Sequence, residues 1–199
     1  IAEISSNLLK QNINNINNIN NINIFQFDHD KWNIKKDDLD LIISNFYLHL
    51  TSNIDLLFKN IHNSLQNNGF FIATMPSNNS FYELKNSMIQ ADTEIYNGVY
   101  RRFMKCYSVE NLNLLLKKYN YKMPVIEIDN IKILYNKFSS LLRDVRNLRN
   151  TSIYKDRKSN FEKKTYFKKV EDIYWNKFSN NNKLILQLEI IMITAWKQD

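Results

Sequence analysis

Three histidines, one cysteine and a scatter of carboxylates are the side chains here that could do covalent or metal chemistry, and their spacing limits what they can do. His29 lies between Asp28 and Asp30, whereas His49 and His62 stand apart from any acid pair. A non-haem iron site needs two histidines and a carboxylate on one face. No His-x-Asp triplet is present, so no metal centre is expected. Cys106 is the single cysteine and has no neighbouring histidine, which leaves it a poor nucleophile. It also excludes an internal disulfide or a Cys-clustered zinc site and makes a reducing compartment the default. Two glycines in 199 residues are too few for a Gly-rich loop that cradles phosphate. Ser44 and Asn45 end the apolar run LDLIISN. If that run is a strand, the pair sits at its carboxyl end, the edge where α/β sheets gather ligands; the alternative is local capping.

The elements that position these residues can be read from periodicity. Residues 11–24, QNINNINNINNINI, repeat every three residues, matching neither a helical stripe nor strand alternation, and read as a low-complexity insertion. Residues 24–28 (IFQFD) form a short strand ending in an acid, and residues 39–45 form a strand buried on both faces. A helical stripe over 54–65 has Asn53 as its N-cap. It ends in a turn over Asn67, Asn68 and Gly69 that needs a residue at positive φ. A second buried strand, GFFIATM over 69–75, stops at Pro76. Strand, helix and strand in this order form a βαβ unit with parallel pairing and a right-handed crossover.

The second half carries helices over 80–91, 108–118, 137–149 and 161–178, with strands over 125–135 and 184–196. The sum is a single α/β domain over 1–199, parallel strands first and antiparallel strands last. No apolar run approaches the ~18 residues of a membrane span, and the first ten residues lack the order of a signal peptide. A formal charge of +7 is concentrated late, around Arg143, Arg146, Arg149 and the lysines from Lys155 to Lys169. Acids interleave with these residues and no nucleic-acid motif accompanies them. The patch therefore reads as a solvated helix face, or as a dock for an acidic protein, before nucleic acid.

The order of elements resembles the Rossmann-like class I S-adenosylmethionine-dependent methyltransferase fold, entered after its first strand and Gly-rich loop. The motifs narrow the resemblance. LDLIIS, YLHL and NSFYELK stand where one family has F-D-L-V-[VI]-S, L-x-L-H-W and D-T-L-x-E-L-R. That family contains the mitochondrial complex I assembly factor 5 and the malonyl-carrier-protein methyltransferase of biotin synthesis. ADTEIYNG, LLRDVRNLRNTS and LEIIMITAWK resemble the assembly-factor branch.

For that branch the resemblance implies hydroxylation of an arginine in an iron–sulfur subunit of respiratory complex I, with S-adenosylmethionine as the bound group. It also implies peripheral association with the inner membrane, and a mitochondrial location in a eukaryote or a cytoplasmic one in a bacterium. The alternatives are a methyltransferase acting on a carrier-protein-bound or small-molecule carboxylate, and a non-catalytic assembly protein. The cofactor's Gly loop is expected upstream, together with the strand whose terminal acid holds the ribose.

The resemblance also implies roles for particular residues. Asp28 and His29 meet the adenine, against a solvated turn. Ser44 and Asn45 contact the methionine moiety or substrate. Tyr82 and Glu83 lie on a helix roofing the pocket, where Glu83 can bind a guanidinium or make a surface salt bridge. Arg146 holds a D-x-R position with Asp144, although two family glycines have become Asn147 and Arg149. His49 stands at the family histidine, with Leu50 in place of the family tryptophan, and reads as packing; Trp175 reads as core.

Overall fold

A computed structural model describes residues 2–3, 25–26, 32–103, 105–148 and 162–198. The low-complexity tract at 11–24, with Asp28 and His29, lies outside the described residues. Two short strands, β1 (Ala2–Glu3) and β2 (Phe25–Gln26), pair in parallel, Glu3 opposite Gln26. The larger sheet has the order β3 (Leu39–Asn45), β4 (Leu65–Pro76), β7 (Lys183–Lys197), β5 (Tyr121–Tyr135), with β6 (Ser179–Asn180) pairing onto β7. β3 and β4 are parallel, and β7 runs antiparallel to both β4 and β5. The expected order of parallel before antiparallel strands is therefore observed.

β3 and β4 are joined by a 3-10 turn (Leu48–Leu50) and helix α1 (Ile54–Ser64). The Asn53 side chain caps α1 by accepting from the Leu56 N–H at 3.0 Å. After β4 come α2 (Tyr82–Tyr96) and α3 (Val109–Lys118), the latter opened by a reciprocal Ser108–Asn111 capping box. Helices α4 (Phe138–Asn147) and α5 (Lys164–Lys177) follow β5.

The core divides by strand parity, because successive side chains of a strand face opposite ways. Ile191, Ile193 and Ala195 of β7 pack with α1 and α3, together with Phe58, Phe71 and Tyr121. Leu184, Leu186 and Leu188, of the other parity, pack with α2, α4 and α5. The two helical layers therefore cover opposite faces at opposite ends of β7. β5 and β7 stay paired to Tyr135 and Leu184, past the point where β4 stops opposite Ile190. This long ribbon carries α2, α4 and α5 beyond the carboxyl edge of β4.

Two readings of the strands are corrected. β3 is buried on one face only: Ile42 joins the core, while Leu41 and Ile43 are 48% and 66% exposed. A near-continuous apolar run thus mimics a doubly covered strand even though only one of its faces is packed. The turn before the second strand also differs. β4 begins at Leu65, ahead of that turn, while the positive φ the turn needs is taken by Asn68. Among the described residues no glycine has positive φ; Asn68, Asn97, Asn120, Asn181 and Asn182 take that conformation instead. Asparagine tolerates it because its short amide bonds locally.

Gly69 answers a different need. A Cβ there would stand 2.7 Å from the Gln66 carbonyl oxygen and 3.1 Å from that of Leu39. Both are backbone atoms of the sheet, so neither can yield cheaply. Gly69→Ala is expected to cost about 1–3 kcal/mol of stability, read as a lowered urea midpoint; an unchanged midpoint would show that the contact relaxes.

Candidate functional site

The carboxyl ends of β3 and β4 lie side by side, Ser44 opposite Ala73 and Asn45 opposite Thr74. The Thr74 hydroxyl donates to the Asn45 side-chain oxygen, tying the two strand ends together. Ser44 Oγ is buried with no hydrogen-bond partner. An orphaned polar atom is costly to bury, and at a strand's carboxyl end it is where a ligand's polar group would fit. Immediately beyond, Phe46 has φ of 50°, and Phe81, at the start of α2, has φ of 62°. A bulky side chain in that region is strained by about 1–3 kcal/mol, and such strain concentrates at functional sites. Of the three bulky residues at positive φ among the described residues, Met123 lies within β5, whereas Phe46 and Phe81 leave this edge of the sheet, each held by a backbone bond, Phe46 N–H to Thr74 O and Phe81 N–H to Gln187 O.

Glu189 organises the loop after β4. Its carboxylate accepts from the Ser77 hydroxyl and from Asn79 Nδ2 at 3.1 Å. Its backbone carbonyl accepts from Ser80 Oγ at 2.7 Å and from Ser77 N–H at 2.9 Å. Sequence reasoning passed over Glu189. The available signal was a lone acid inside LILQLEIIMITAW, a strand otherwise without carboxylates. Beside this loop, burial pushes the Lys85 amine pKa down and the Cys106 thiol up.

The other expected residues divide. Tyr82 is 57% exposed and meets Phe178 edge-on at 6.2 Å. Glu83, one residue on, is only 4% exposed, and its Oε2 accepts from the Gln187 N–H at 3.1 Å. It is therefore neither a surface salt bridge nor open to a guanidinium: helical spacing turns the side chain toward β7, where it fastens α2. Arg146 is exposed on α4, its guanidinium 5.8 Å from the Phe167 ring centre, and is not brought to the Ser44–Asn45 edge by any described contact. His49 is 1% exposed with both ring nitrogens unpartnered. Burial pulls its pKa down to about 4, and the Leu148 backbone offsets little of this.

A second polar cluster lies behind α2, among residues not predicted as a site. Arg102 donates from Nε to both oxygens of Asp92, at 3.1 and 2.9 Å, and from Nη2 to Glu162 Oε1 at 2.7 Å. Tyr96 OH donates to Glu162 Oε2 at 2.6 Å, and the guanidinium stacks 4.2 Å over the Tyr166 ring. Burial opposes the Arg102 charge, but the bonds to Asp92 and Glu162 outweigh it and raise the pKa. Among the described residues no three His, Cys, Asp or Glu side chains gather as a metal ion would require.

β1 ends on Glu3, one strand from β2, which leads toward Asp28.

An α/β sheet ordered β3-β4-β7-β5 with β7 reversed, and a polar carboxyl edge, defines a Rossmann-like methyltransferase. Residues 2–124 match the model of the methyltransferase domain family, and the chain belongs to it. The fold is shared with the YcgJ protein of Bacillus subtilis, with a TM-score of 0.66 at 11% identity over all of this chain and 81% of that one. It is shared too with phosphoethanolamine N-methyltransferase 2 of Haemonchus contortus in complex with S-adenosyl-L-methionine: TM-score 0.55 at 15% identity, over all of this chain and 43% of that one.

Among curated proteins the chain is similar to the mitochondrial arginine-hydroxylase NDUFAF5 of Dictyostelium discoideum, 30% identical over 166 residues, 82% of this chain and 38% of that protein. The human protein of the same name is 23% identical over 197 residues, 98% of this chain and 56% of its own. A malonyl-[acyl-carrier protein] O-methyltransferase of Xylella fastidiosa (strain M23) is 22% identical over 158 residues, 79% of this chain and 52% of that one. The chain thus spans between 38% and 56% of the length of these relatives.

Proposed function

We propose that this chain forms the adenine-facing and substrate-facing flank of an S-adenosylmethionine site in a protein of the complex I assembly-factor type, which hydroxylates an arginine of a protein substrate. The observation that carries this reading is the reach of the similarity. It extends over 98% of the chain against human NDUFAF5, well past residue 124, where the general methyltransferase match stops. The added stretch contains β5, α4, α5 and β7, the ribbon and helices that overhang the carboxyl edge. Substrate choice in such a fold resides in what overhangs the cofactor.

In this reading Asp28 and His29 take the adenine, and Ser44 and Asn45 hold the methionine end or the substrate. The bound group supplies the reactive centre, while these residues orient it. Tyr82, exposed on α2, and Arg146, on α4, face the protein substrate. An iron–sulfur subunit of complex I is the substrate this type of protein implies, with a mitochondrial location in a eukaryote and peripheral attachment to the inner membrane. The similarity to the bacterial malonyl-carrier-protein enzyme supports a second reading, methylation of a carrier-bound carboxylate.

Calorimetry of the full-length gene product with S-adenosylmethionine is expected to show binding, weakened at least tenfold by Ser44→Ala, which removes the hydroxyl alone. Absence of binding would reject both enzyme readings in favour of a non-catalytic assembly protein. With binding established, mass spectrometry of the reacted partner separates an added oxygen on arginine from an added methyl on a carrier protein, and the methyl product would overturn the first reading.

A further inference from the structure

The late basic patch has a shape as well as a charge. Helices α4 and α5 border an open groove of about 580 Å³ whose apolar lining includes Leu142, Phe167 and Trp175, with Phe138 beneath. Volumes of this size suit the anchoring side chains of a bound peptide. Lys137, Lys164 and Lys168 stand on its border, with Glu171 the single acid in the lining. The Arg146 guanidinium lies over Phe167 beside them.

The placement of these lysines costs stability. Lys137 is the N-cap of α4, Lys163 that of α5, and Lys164 the first residue of α5. Neither helix has an acid in its first turn. A helix N-terminus is the positive end of its dipole, so cations there are unfavourable and acids are preferred. Lys168 is paired with Asp172 at 3.0 Å, so the groove joins two positive helix ends to Lys137 and Lys164 over an apolar floor, an arrangement poor for folding and good for an anionic, partly apolar ligand.

We propose that the α4–α5 groove docks an acidic amphipathic helix of a protein partner. Leucine- or phenylalanine-type anchors would fill the floor between Leu142 and Trp175, and carboxylates on the flanks would meet the lysines. Residues 149–161 of this chain are a poor occupant. They carry Arg149, Lys155, Arg157 and Lys158 against Asp156 alone, and add to the positive field instead of neutralising it. A phosphodiester backbone would satisfy the lysines but leave the apolar floor empty, and a flat lipid surface does not enter a groove. The proposal is independent of the reaction catalysed: it concerns the ribbon's outer helices and stands whether or not the cofactor binds.

The test uses the full-length protein and a labelled helical peptide with leucines at i, i+3 and i+7 and glutamates on its other faces. Its controls are the same peptide with lysines for glutamates, a single-stranded DNA oligonucleotide and anionic lipid vesicles. The acidic peptide is expected to bind, with an affinity that falls as salt rises, and the lysine peptide to bind at least tenfold more weakly. The double variant Lys137→Glu/Lys164→Glu is expected to reverse that preference while keeping or raising the melting temperature, because it places acids at helix N-termini. Phe167→Ala is expected to weaken the acidic peptide without altering its salt dependence. Equal binding of the two peptides, tighter binding of DNA or vesicles, or binding seen only after residues 149–161 are deleted would each overturn the proposal.

Discussion

Asp92→Ala is expected to cost about 3–5 kcal/mol of folding stability. Asp92 is fully buried and receives two bonds from Arg102 Nε, a third from Nη2 and one from the Tyr100 N–H at 3.2 Å. Removing the carboxylate leaves a guanidinium that cannot shed its charge, held between Glu162 and the Tyr166 ring with most of its donors unpaired. Asp92→Asn keeps an acceptor and should lose less. The double change Asp92→Ala/Arg102→Met removes the stranded charge and should recover much of the loss, since an apolar replacement of a buried pair is often nearly neutral. Urea unfolding of the four proteins measures this. A single-variant loss below about 1 kcal/mol would mean that water reaches the cluster, as at a surface ion pair.

The consequence of that loss is local as well as global. Asp92 belongs to the last turn of α2, and Glu162 immediately precedes α5. Arg102, on the loop between α2 and α3, joins them, so the cluster fastens the two helices that lie across the β5–β7 ribbon. Faster amide exchange at the start of α5 than in α1 should accompany Asp92→Ala.

The second large effect depends on pH. His49 has a folded-state pKa of about 4, against an ordinary value of 6.5, because burial strips solvent from its charged form and the Leu148 backbone offsets only part of this. The folded value is depressed. Above pH 6.5 both folded and unfolded chains hold a neutral imidazole, and the full stability is present. As pH falls below 6.5 the unfolded chain takes up a proton that the folded chain refuses, and stability is lost until about pH 4. The difference corresponds to about 2 kcal/mol by pH 5 and about 3 kcal/mol at its limit. His49→Leu should abolish this contribution, and at pH 7 it should be neutral or stabilising because two orphaned nitrogens disappear. The measurement is the urea midpoint of both proteins between pH 7.5 and pH 5, expressed as their difference so that carboxylate titration cancels. Parallel curves would show that the imidazole is solvated or bonded.

His49 also illustrates how far the sequence could be read. YLHL resembles a family motif and suggests a packing histidine, and the ring is indeed packed. That neither nitrogen finds a partner depends on what the 3-10 turn and Leu148 bring around it, 99 residues apart in the chain. Ser44 and Asn45 were legible as strand-end residues because the strand itself was legible. Glu83 was misplaced because its helical face was not resolved by motif matching: one residue separates it from exposed Tyr82, and the face of α2 is set by β7, contributed from the far end of the chain. Glu189 and the Asp92–Arg102–Glu162 cluster escaped notice for the same reason, since their partners lie 112, 10 and 60 residues away and nothing in local periodicity couples them.

The glycine count shows where the two kinds of information divide. By itself the sequence determined the order of strands and helices, the scarcity of glycine and the resulting absence of a phosphate-cradling loop in these residues, because periodicity and composition are local properties. It also determined that positive-φ turns must fall to other residues. Only the tertiary structure decided which ones: asparagine at five positions, aspartate at 37 and methionine at 123, and phenylalanine at positions 46 and 81, where the chain leaves the carboxyl edge. It likewise decided that Gly69 is kept for close backbone approach, that β3 has one bare face, and that lysines scattered over thirty residues of sequence converge on one groove. Each of these depends on which distant segments meet, and long-range pairing is set by the burial of a whole sheet and not by any window of residues.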